Sequence, residues 1–554
     1  MSTALARSIQ ERLRERSDDI LVTICAARAG KRHETLTGAA LHGAARARAD
    51  ALAAAFDPAA GPIAIVMPSG AEFVTTMLGA LYGGFTIAPL APPRPGPQYN
   101  RFNTILRDCQ PAAILCSDAM APRLHTARVA AAAPSAAPIV PLGALGDIKP
   151  ALRSSAGGRD RPVILQYTSG STRAPRGVML DSETVLANAA LANKTWGMDE
   201  HGTMLTWLPH FHDMGLLGGI LYPLLSGGTT ALMDPLHMMQ RPERWLHLIG
   251  ELGASFSGGP AFAFAHCLRQ VLDDQCEGLD LSGWQKAFCG AEPVPAGLMD
   301  AFRARFAPYG LNPTALFASY GLAEFTLMVA GGTHPPVALG PPGCGSIEPC
   351  QVAEAMRGNL RIVDPETRRP VADGHPGEVW LRGPSVASGY LGREEETEAV
   401  FHATVDTSDP AFDGLWLRTG DLATLDQGYL YVTGRLKDLV FVNGQKVPAS
   451  DIEWLAAQQD PALNPFAAAA LMPDEFANGK AVLLIEQRRR GLHIDDEEGA
   501  RRRIKHMVAG AWSIDLIDIR FLPPNALPRT TSGKVQRQLA ASGYRSHGYT
   551  AADL

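Results

Sequence analysis

Residues 163–177 read VILQYTSGSTRAPRG. The apolar run VILQ at 163–166 has the length and character of a buried strand. Tyr167 to Gly177 then leave that strand as a polar loop. Thr168, Ser169, Ser171 and Thr172 offer hydroxyl donors, Arg173 and Arg176 add positive charge, and Gly170 and Gly177 permit positive φ. Hydroxyls, backbone N–H groups and cations on one loop can wrap a polyphosphate. The Walker A pattern is absent here, so a phosphate loop of that kind is excluded. Ser/Thr/Gly turns are also common on plain surfaces, and the loop alone leaves both readings open.

Around that loop, from about 20 to 430, short β-branched runs alternate with helical stretches. IAIVMP at 63–68 and AAILCS at 112–117 read as buried strands, and TVLANAALANKTW at 184–196 as a helix. GAALHGAARARADALAAAF at 38–56 is an Ala-rich helix with Thr37 as its N-cap. Such alternation predicts an α/β architecture with parallel sheets. APPRPGPQ at 91–98 reads as an extended surface connection. Two uncharged runs, 73–93 and 214–233, are long enough to span a bilayer. Gly83-Gly84 and Pro89 break the first, Pro223 and Gly227-Gly228 the second. Each is therefore expected as a buried helix, a glycine stop and a buried strand, with no stable membrane insertion.

With 554 residues, the chain exceeds what one core usually serves, and two or more domains are expected. Apolar residues at 46 % and charged residues at 19 % are a globular composition. Lys and Arg number 50 against 56 Asp and Glu, a net charge of -6 that gives no reason to expect nucleic-acid binding. Cysteines at 25, 109, 116, 267, 276, 289, 344 and 350 show neither zinc spacing nor disulfide density, which points to a reducing cytoplasm. The opening MSTALARSIQERLRERSDD lacks the apolar core of a secretory signal. A boundary is expected near GRLKD, 434–438. WLRTGDLATLDQGYLYVTGR before it alternates like antiparallel strands with glycine turns, and LPRTTSGKVQR lies near the end of the segment after it. The expected division is 1–435 and 436–554.

Six segments then fall into one ordered pattern. The loop at 167–177 resembles the phosphate loop of the adenylate-forming superfamily, which includes acyl-CoA synthetases, luciferases and nonribosomal adenylation domains. FCGAEPV at 288–294 resembles its adenine-side loop, and ASYGLAE at 318–324 its aromatic–Gly–x–x–Glu motif. WLRTGDLA at 416–423 resembles its ribose-binding aspartate motif, GRLKDLVFVNG at 434–444 its hinge, and LPRTTSGKVQR at 527–537 its C-terminal lysine motif. The resemblance covers nearly the whole chain. It implies a large N-terminal domain of parallel βαβ sheets plus a small β-barrel-like part, joined by a hinge to a small α+β domain. It also implies ATP and Mg²⁺ as cofactors. ATP or AMP would be met by Thr168, Ser169, Gly170, Ser171, Thr172 and Arg173, by Gly290, Ala291 and Glu292, by Ser319, Tyr320 and Gly321, and by Asp421 and Arg435.

Each motif residue has a physical reason beside the resemblance. Tyr320 offers a flat face on which adenine can stack, although a core tyrosine fits the same position. Glu324 is a hard oxygen ligand for Mg²⁺, or else an exposed structural glutamate. Asp421 can accept two ribose hydroxyls, or serve as a turn aspartate after Gly420. Arg435 can reach ribose or phosphates from the boundary, or stand solvated on the surface. Lys534 is implied as the lysine that reaches into the cleft and offsets charge as a carboxylate attacks the α-phosphate. It is expected in an exposed turn, and Lys437 is implied as the hinge pivot.

WLPHFHDMGLLGGILYPLLSGG at 207–228, SGGPAFAF at 257–264 and YGLAEFTLMVAGG at 320–332 resemble the fatty acyl-AMP ligase branch, as does Arg173 in the loop. His212 stands where amino-acid adenylation domains place an aspartate, and is a further candidate catalytic residue. Met214, Gly215, Leu217, Ile220, Gly259 and Phe262 are candidate lining of an acyl pocket, although apolar helix residues are more often plain core. The implied activity is conversion of a fatty or related carboxylic acid to acyl-AMP, then transfer to the phosphopantetheine arm of an acyl carrier protein. A carboxylate–CoA ligase and an inactive adenylate-binding module are the competing readings. FHATVDTSDPAFDGLW at 401–416 is a candidate for part of an insertion typical of this branch. VNGQKVPASDIE at 442–453 departs from the branch's usual pattern after the hinge.

Overall fold

In the computed structural model, VILQ forms most of the strand Ile164–Thr168, second from the edge of a six-stranded sheet. The structure describes residues 3–28, 30–93, 97–129, 136–148, 161–168, 175–333, 340–341, 344, 347–442, 445–472, 480–488, 494–530 and 533–547. In this sheet the strands run in the order Ile139–Pro141, Ala113–Cys116, Ile63–Val66, Ile87–Pro89, Ile164–Thr168 and Arg176–Leu180. All pair in parallel except the last, which folds back on Ile164–Thr168 with Thr168 opposite Arg176.

An eight-stranded sheet carries the rest of the α/β layer. Its inner strands, Leu316–Gly321, Lys286–Gly290, Phe256–Pro260, Thr203–Thr206, Thr229–Leu232 and Ile20–Ile24, are parallel. Met328–Gly331 and Glu34–Thr37 close the two edges antiparallel. The β-barrel-like part is an antiparallel five-stranded sheet. There Leu417–Asp426 and Tyr429–Arg435 form a hairpin through Gln427 and Gly428, both at positive φ as a tight hairpin turn demands.

The expected helices are present. Thr37 Oγ1 accepts from Ala40 N at the start of Gly38–Ala55, and Asp181 caps Ser182–Trp196. The run from 73 becomes the helix Ala71–Tyr82, a stop at Gly83-Gly84, and the strand Ile87–Pro89. The run from 214 becomes helix, Gly227 at φ 81, and the strand Thr229–Leu232. Its first two turns, Met214–Leu221, are π-helical. A side chain on Gly215 would lie 2.2 Å from the Pro209 carbonyl oxygen, and one on Gly219 would lie 2.9 Å from Thr206, so glycine is what permits this wide helix to pack so closely. One expectation fails: Pro97 and Gln98 belong to the helix Pro97–Cys109, not to an extended connection. Proline suits a first helical turn, where its missing N–H has no intrahelical partner to lose. Among the described residues no helix is long and apolar enough to cross a membrane.

Buried side chains from Leu5 to Leu430 form one apolar core across these three sheets. A separate core gathers Val440, Val447, Ile452, Leu463, Leu483, Ile504 and Ile519. It lies around the three-stranded sheet Leu463–Leu471, Lys480–Gln487 and Asp515–Leu522. The 401–416 stretch packs on the five-stranded sheet, where Ala403 and Trp416 exchange backbone hydrogen bonds and join Trp380 and Val363.

Candidate active site

The parallel strands Phe256–Pro260, Lys286–Gly290 and Leu316–Gly321 end side by side, the edge of an open α/β sheet where ligands usually bind. A side chain on Gly290 would meet the Ser319 carbonyl oxygen at 2.4 Å, so the two strand ends touch through backbone. Ala291 then turns the chain at φ 70. Glu292 swings its carboxylate back to the start of the helix Ala261–Gln270, where Oε1 accepts from Phe262 N at 3.4 Å. Burial pushes the Glu292 carboxyl up, and the Lys534 charge opposes that rise.

Tyr320, Asp421 and Arg435 form one cluster. The Tyr320 hydroxyl donates to Asp421 Oδ2 at 2.8 Å, and Arg435 Nε pairs with Asp421 Oδ1 at 2.8 Å. Asp421 is buried within a strand, opposite Arg435 in the hairpin, and not in a turn. Gly420 at φ 70 re-aims the strand just before it, and Glu378 Oε1 accepts the Gly420 N–H at 3.0 Å. Burial and the neighbouring carboxylate push the Tyr320 phenol well up, so it stays a donor. A carboxylate has about four lone-pair sites, so these two partners leave room for two ribose hydroxyls. Gly321 packs against the Leu327 carbonyl, a contact that leaves no room for a side chain.

Glu324 lies beyond this cluster. Its Oε1 accepts from the Tyr390 hydroxyl at 2.7 Å. The Arg176 guanidinium covers the Tyr390 ring at 5.0 Å and pairs with Glu396 at 2.9 Å. The segment 387–396 thus fastens the far end of the 167–177 segment, with Leu391 N donating to the Gly177 carbonyl at 2.9 Å. The near end is fastened too. Tyr167 donates to Asp108 at 2.7 Å, Arg393 pairs with Asp108 at 3.2 Å, and Arg101 donates to the Thr168 carbonyl at 3.4 Å. Ser169, Gly170, Ser171, Thr172 and Arg173 lie outside the described residues. Tyr390, Arg393, Asp108 and Arg101 were missed by sequence reasoning. SGYLGREEE at 388–396 was the available signal, but it reads locally as a turn and a charged helix start.

On the opposite wall, His212 Nδ1 meets Asp213 Oδ1 at 2.6 Å, and Asp213 also accepts from Met214 N at 2.7 Å. Burial alone would raise the Asp213 carboxyl, but His212, the Met214 N–H and the Lys534 charge bring it below its ordinary value. His210 is a different case. It is buried against Phe73 with ring centres 3.9 Å apart, and burial lowers its pKa to about 3, so it is neutral.

Lys534, from the C-terminal part of the chain, is in electrostatic range of Asp213. Its turn is held by Lys534 N donating to Thr530 Oγ1 at 3.1 Å and Thr530 N donating to the Lys534 carbonyl at 2.8 Å, with Gly533 at φ 89. The lysine is half-buried, which corrects the expectation of an exposed turn. The ammonium is in electrostatic range of Arg435, Glu292, Asp213 and Asp421. Burial and the Arg435 charge lower its pKa.

The proposed acyl-pocket residues are mostly packed. Gly215, Leu217, Ile220 and Gly259 are buried, while Met214 and Phe262 keep partial exposure. Gly259 leaves room for the Trp207 ring, whose Cζ2 would lie 2.5 Å from a side chain there, and Trp207 meets Phe262 edge-on at 6.0 Å. Lys437 is exposed in the short 3₁₀ turn Leu436–Asp438, between the two apolar cores. Among the described residues no group of three His, Cys, Asp or Glu side chains could hold a metal by itself. A single carboxylate such as that of Glu324 is compatible with Mg²⁺, which commonly binds through one or two carboxylates plus substrate phosphates.

A family model described as AMP-binding enzyme matches residues 9–391. Long-chain-fatty-acid–AMP ligase FadD26 of Mycobacterium marinum is 36 % identical over 553 residues, covering 94 % of this chain and 93 % of the relative. A 4-hydroxyphenylalkanoate adenylyltransferase of Mycobacterium tuberculosis is 35 % identical over 523 residues, covering 89 % of this chain and 83 % of the relative. Among solved structures, one from studies of fatty acyl-adenylate ligases of E. coli and L. pneumophila matches with a TM-score of 0.83 at 27 % identity, covering 98 % of each chain.

Proposed function

This chain belongs to the AMP-binding enzyme family, in the fatty acyl-AMP ligase branch of the adenylate-forming enzymes, and we propose how its residues divide the work. The activity is ATP-dependent formation of acyl-AMP from a fatty or related carboxylic acid. A carboxylate oxygen of the acid bonds to the α-phosphorus, the bond to the bridging oxygen of pyrophosphate breaks, and pyrophosphate leaves with the electron pair. The carboxylate is its own nucleophile, so the protein supplies alignment and charge compensation.

The observation that carries the assignment of roles is the Tyr320–Asp421–Arg435 cluster at the strand ends, with the Lys534 ammonium in electrostatic range of Asp421, Glu292 and Asp213. In this reading Tyr320 and Asp421 hold adenosine, Arg435 and the loop 168–173 face the phosphates, and His212 faces the acid. Lys534 stabilises the charge that builds at the α-phosphate. Mg²⁺ would be held by Glu324 and would neutralise phosphate oxygens when bound. The large domain spans 1–435 and the mobile one 436–554, with Lys437 as the pivot. The second half-reaction passes the acyl group to the phosphopantetheine thiol of a carrier protein: sulfur bonds to the carbonyl carbon, AMP leaves, and the thiol proton is lost to solvent. All eight cysteines are free and buried, which supports a reducing, cytoplasmic setting.

ATP–pyrophosphate exchange with a panel of fatty, aryl and amino acids tests the first step. Carrier loading measured beside release by free CoA tests the second. Exchange with fatty acids and faster carrier loading are expected. Saturable acyl-CoA production at modest CoA without carrier loading would instead make the protein a CoA ligase.

A further inference from the structure

Arg435 is held to the large domain, and Asp438, three residues on, is held to the small one. Arg435 pairs with Asp421 in antiparallel register. Asp438 Oδ2 accepts from Arg537 Nη1 at 2.8 Å. The same guanidinium donates Nε and Nη2 to the two oxygens of Glu453, each at 2.7 Å. Glu453 is buried on the helix Ala449–Ala457 and also accepts the backbone N–H of Ala470 at 2.8 Å, on the strand Leu463–Leu471. One planar fork therefore ties the residue that ends the interdomain turn to the body of the small domain. Arg537 follows Lys534 by three residues and begins the helix Arg537–His547.

We propose that Arg537 is a positioning residue that couples the interdomain turn to Lys534. Its hydrogen bonds to Asp438 and Glu453 make the end of the turn and the lysine segment one unit. Backbone rotation between Arg435 and Asp438 then carries the ammonium into or out of the cleft without lag. The hydrogen bonds of the guanidinium go to small-domain carboxylates, so its positioning effect reaches the cleft through the Lys534 segment. The separated donors of a planar fork, Nε, Nη1 and Nη2, each reach a different carboxylate oxygen, a geometry that the single nitrogen of a lysine does not reproduce although it would keep the charge. This inference rests on the adenylation reading above.

The test uses the full chain with Arg537→Lys, which keeps the charge but loses the fork, and Asp438→Asn, which leaves the Arg537–Glu453 pair intact. Exchange, ATP KM, thermal midpoint and transfer from supplied acyl-adenylate to pantetheine are measured. Because displacement of a catalytic group by about an ångström costs up to about a hundredfold, exchange should fall about tenfold or more in both variants. ATP KM and transfer should stay near wild type, and in a Lys534→Ala background neither change should lower exchange further. Wild-type exchange in both variants, equal losses in both half-reactions, or additive losses in the Lys534→Ala background would overturn the proposal. A wild-type chain inactive with every acid fails the adenylation reading and this inference with it. An active wild type with undisturbed variants fails this inference alone.

Discussion

The Tyr320 hydroxyl holds one oxygen of Asp421 at 2.8 Å while Arg435 holds the other. The carboxylate is therefore aimed before a nucleotide arrives, by partners from two separate sequence motifs. Tyr320→Phe keeps the aromatic face and removes the donor. A hydrogen bond to a buried charge is worth roughly 1.5–3 kcal/mol, so ATP KM should rise on the order of tenfold, with kcat changed less. Steady-state kinetics with varied ATP check this, and an unchanged ATP KM removes the pair from the nucleotide site.

Lys534→Ala should lower acid-dependent pyrophosphate exchange about a hundredfold or more, the usual cost of losing a charge-stabilising donor. The substitution also removes the larger of the two cationic influences, Lys534 and Arg537, that oppose the effect of burial on Glu292, so that carboxyl should rise further. Transfer from supplied acyl-adenylate should persist. Wild-type exchange in the variant would remove the lysine from the chemistry.

The pH profile follows from the same lysine. Burial and Arg435 bring its pKa below the ordinary value of 10.5. The charged form is the useful one, so kcat for adenylation should fall as pH rises through the lowered pKa, beginning below 10.5. Stability runs the other way. Between the lowered value and 10.5 the unfolded chain binds more protons than the native one, so Lys534's unfavourable contribution shrinks as pH climbs through that window. Lys534→Arg does not titrate there, and its residual activity should lack this alkaline limb. A limb that survives in the arginine variant belongs to another group.

Glu324→Gln keeps size and one acceptor but loses the charge a hard cation prefers. The Tyr390 hydroxyl, which donates to Glu324 Oε1 at 2.7 Å, can still donate to the amide oxygen, so the fold should hold. Half-saturation of exchange should move to higher Mg²⁺, and a titration at fixed ATP reads it directly. An unchanged Mg²⁺ dependence would separate Glu324 from the metal.

What the sequence made legible was local or periodic. The Ala-rich helix after Thr37, the helix–glycine–strand runs, and the hairpin around Gln427-Gly428 depend on neighbours within a few turns of chain. The motif residues Tyr320, Asp421, Arg435 and Lys534 stand in short patterns; the first three form one hydrogen-bonded cluster, and Lys534 is in electrostatic range of Asp421 and Arg435. What stayed hidden depends on distant partners. The Asp108–Arg393 pair closes over 285 residues of sequence, and nothing near either residue announces it. The π-helix at Met214–Leu221 arises where Gly215 and Gly219 meet Pro209 and Thr206, a packing demand that hydrophobic periodicity does not encode. Lys534 reads as exposed because the sequence around it is polar; it is half-buried, with Asp213, Glu292 and Asp421, all distant in sequence, in electrostatic range.

Lys437→Pro tests the pivot. Leu436 to Asp438 form a 3₁₀ turn, and in this orientation Lys534 faces the cleft. Proline disfavours helical backbone at the residue before it, so Leu436 would be pushed toward extended conformations. The substitution should therefore oppose the orientation that serves adenylation and fix φ at the position that must rotate. The two half-reactions should respond unequally. Exchange should fall on the order of a hundredfold, about 2.7 kcal/mol of barrier, while transfer from supplied acyl-adenylate falls by much less. The opposite inequality would still mark a pivot, but one whose proline form favours the present orientation. Equal losses in both steps, or none in either, would make Lys437 an ordinary linker residue. Measuring both steps on one preparation, with the thermal midpoint as a control for folding, decides between these outcomes.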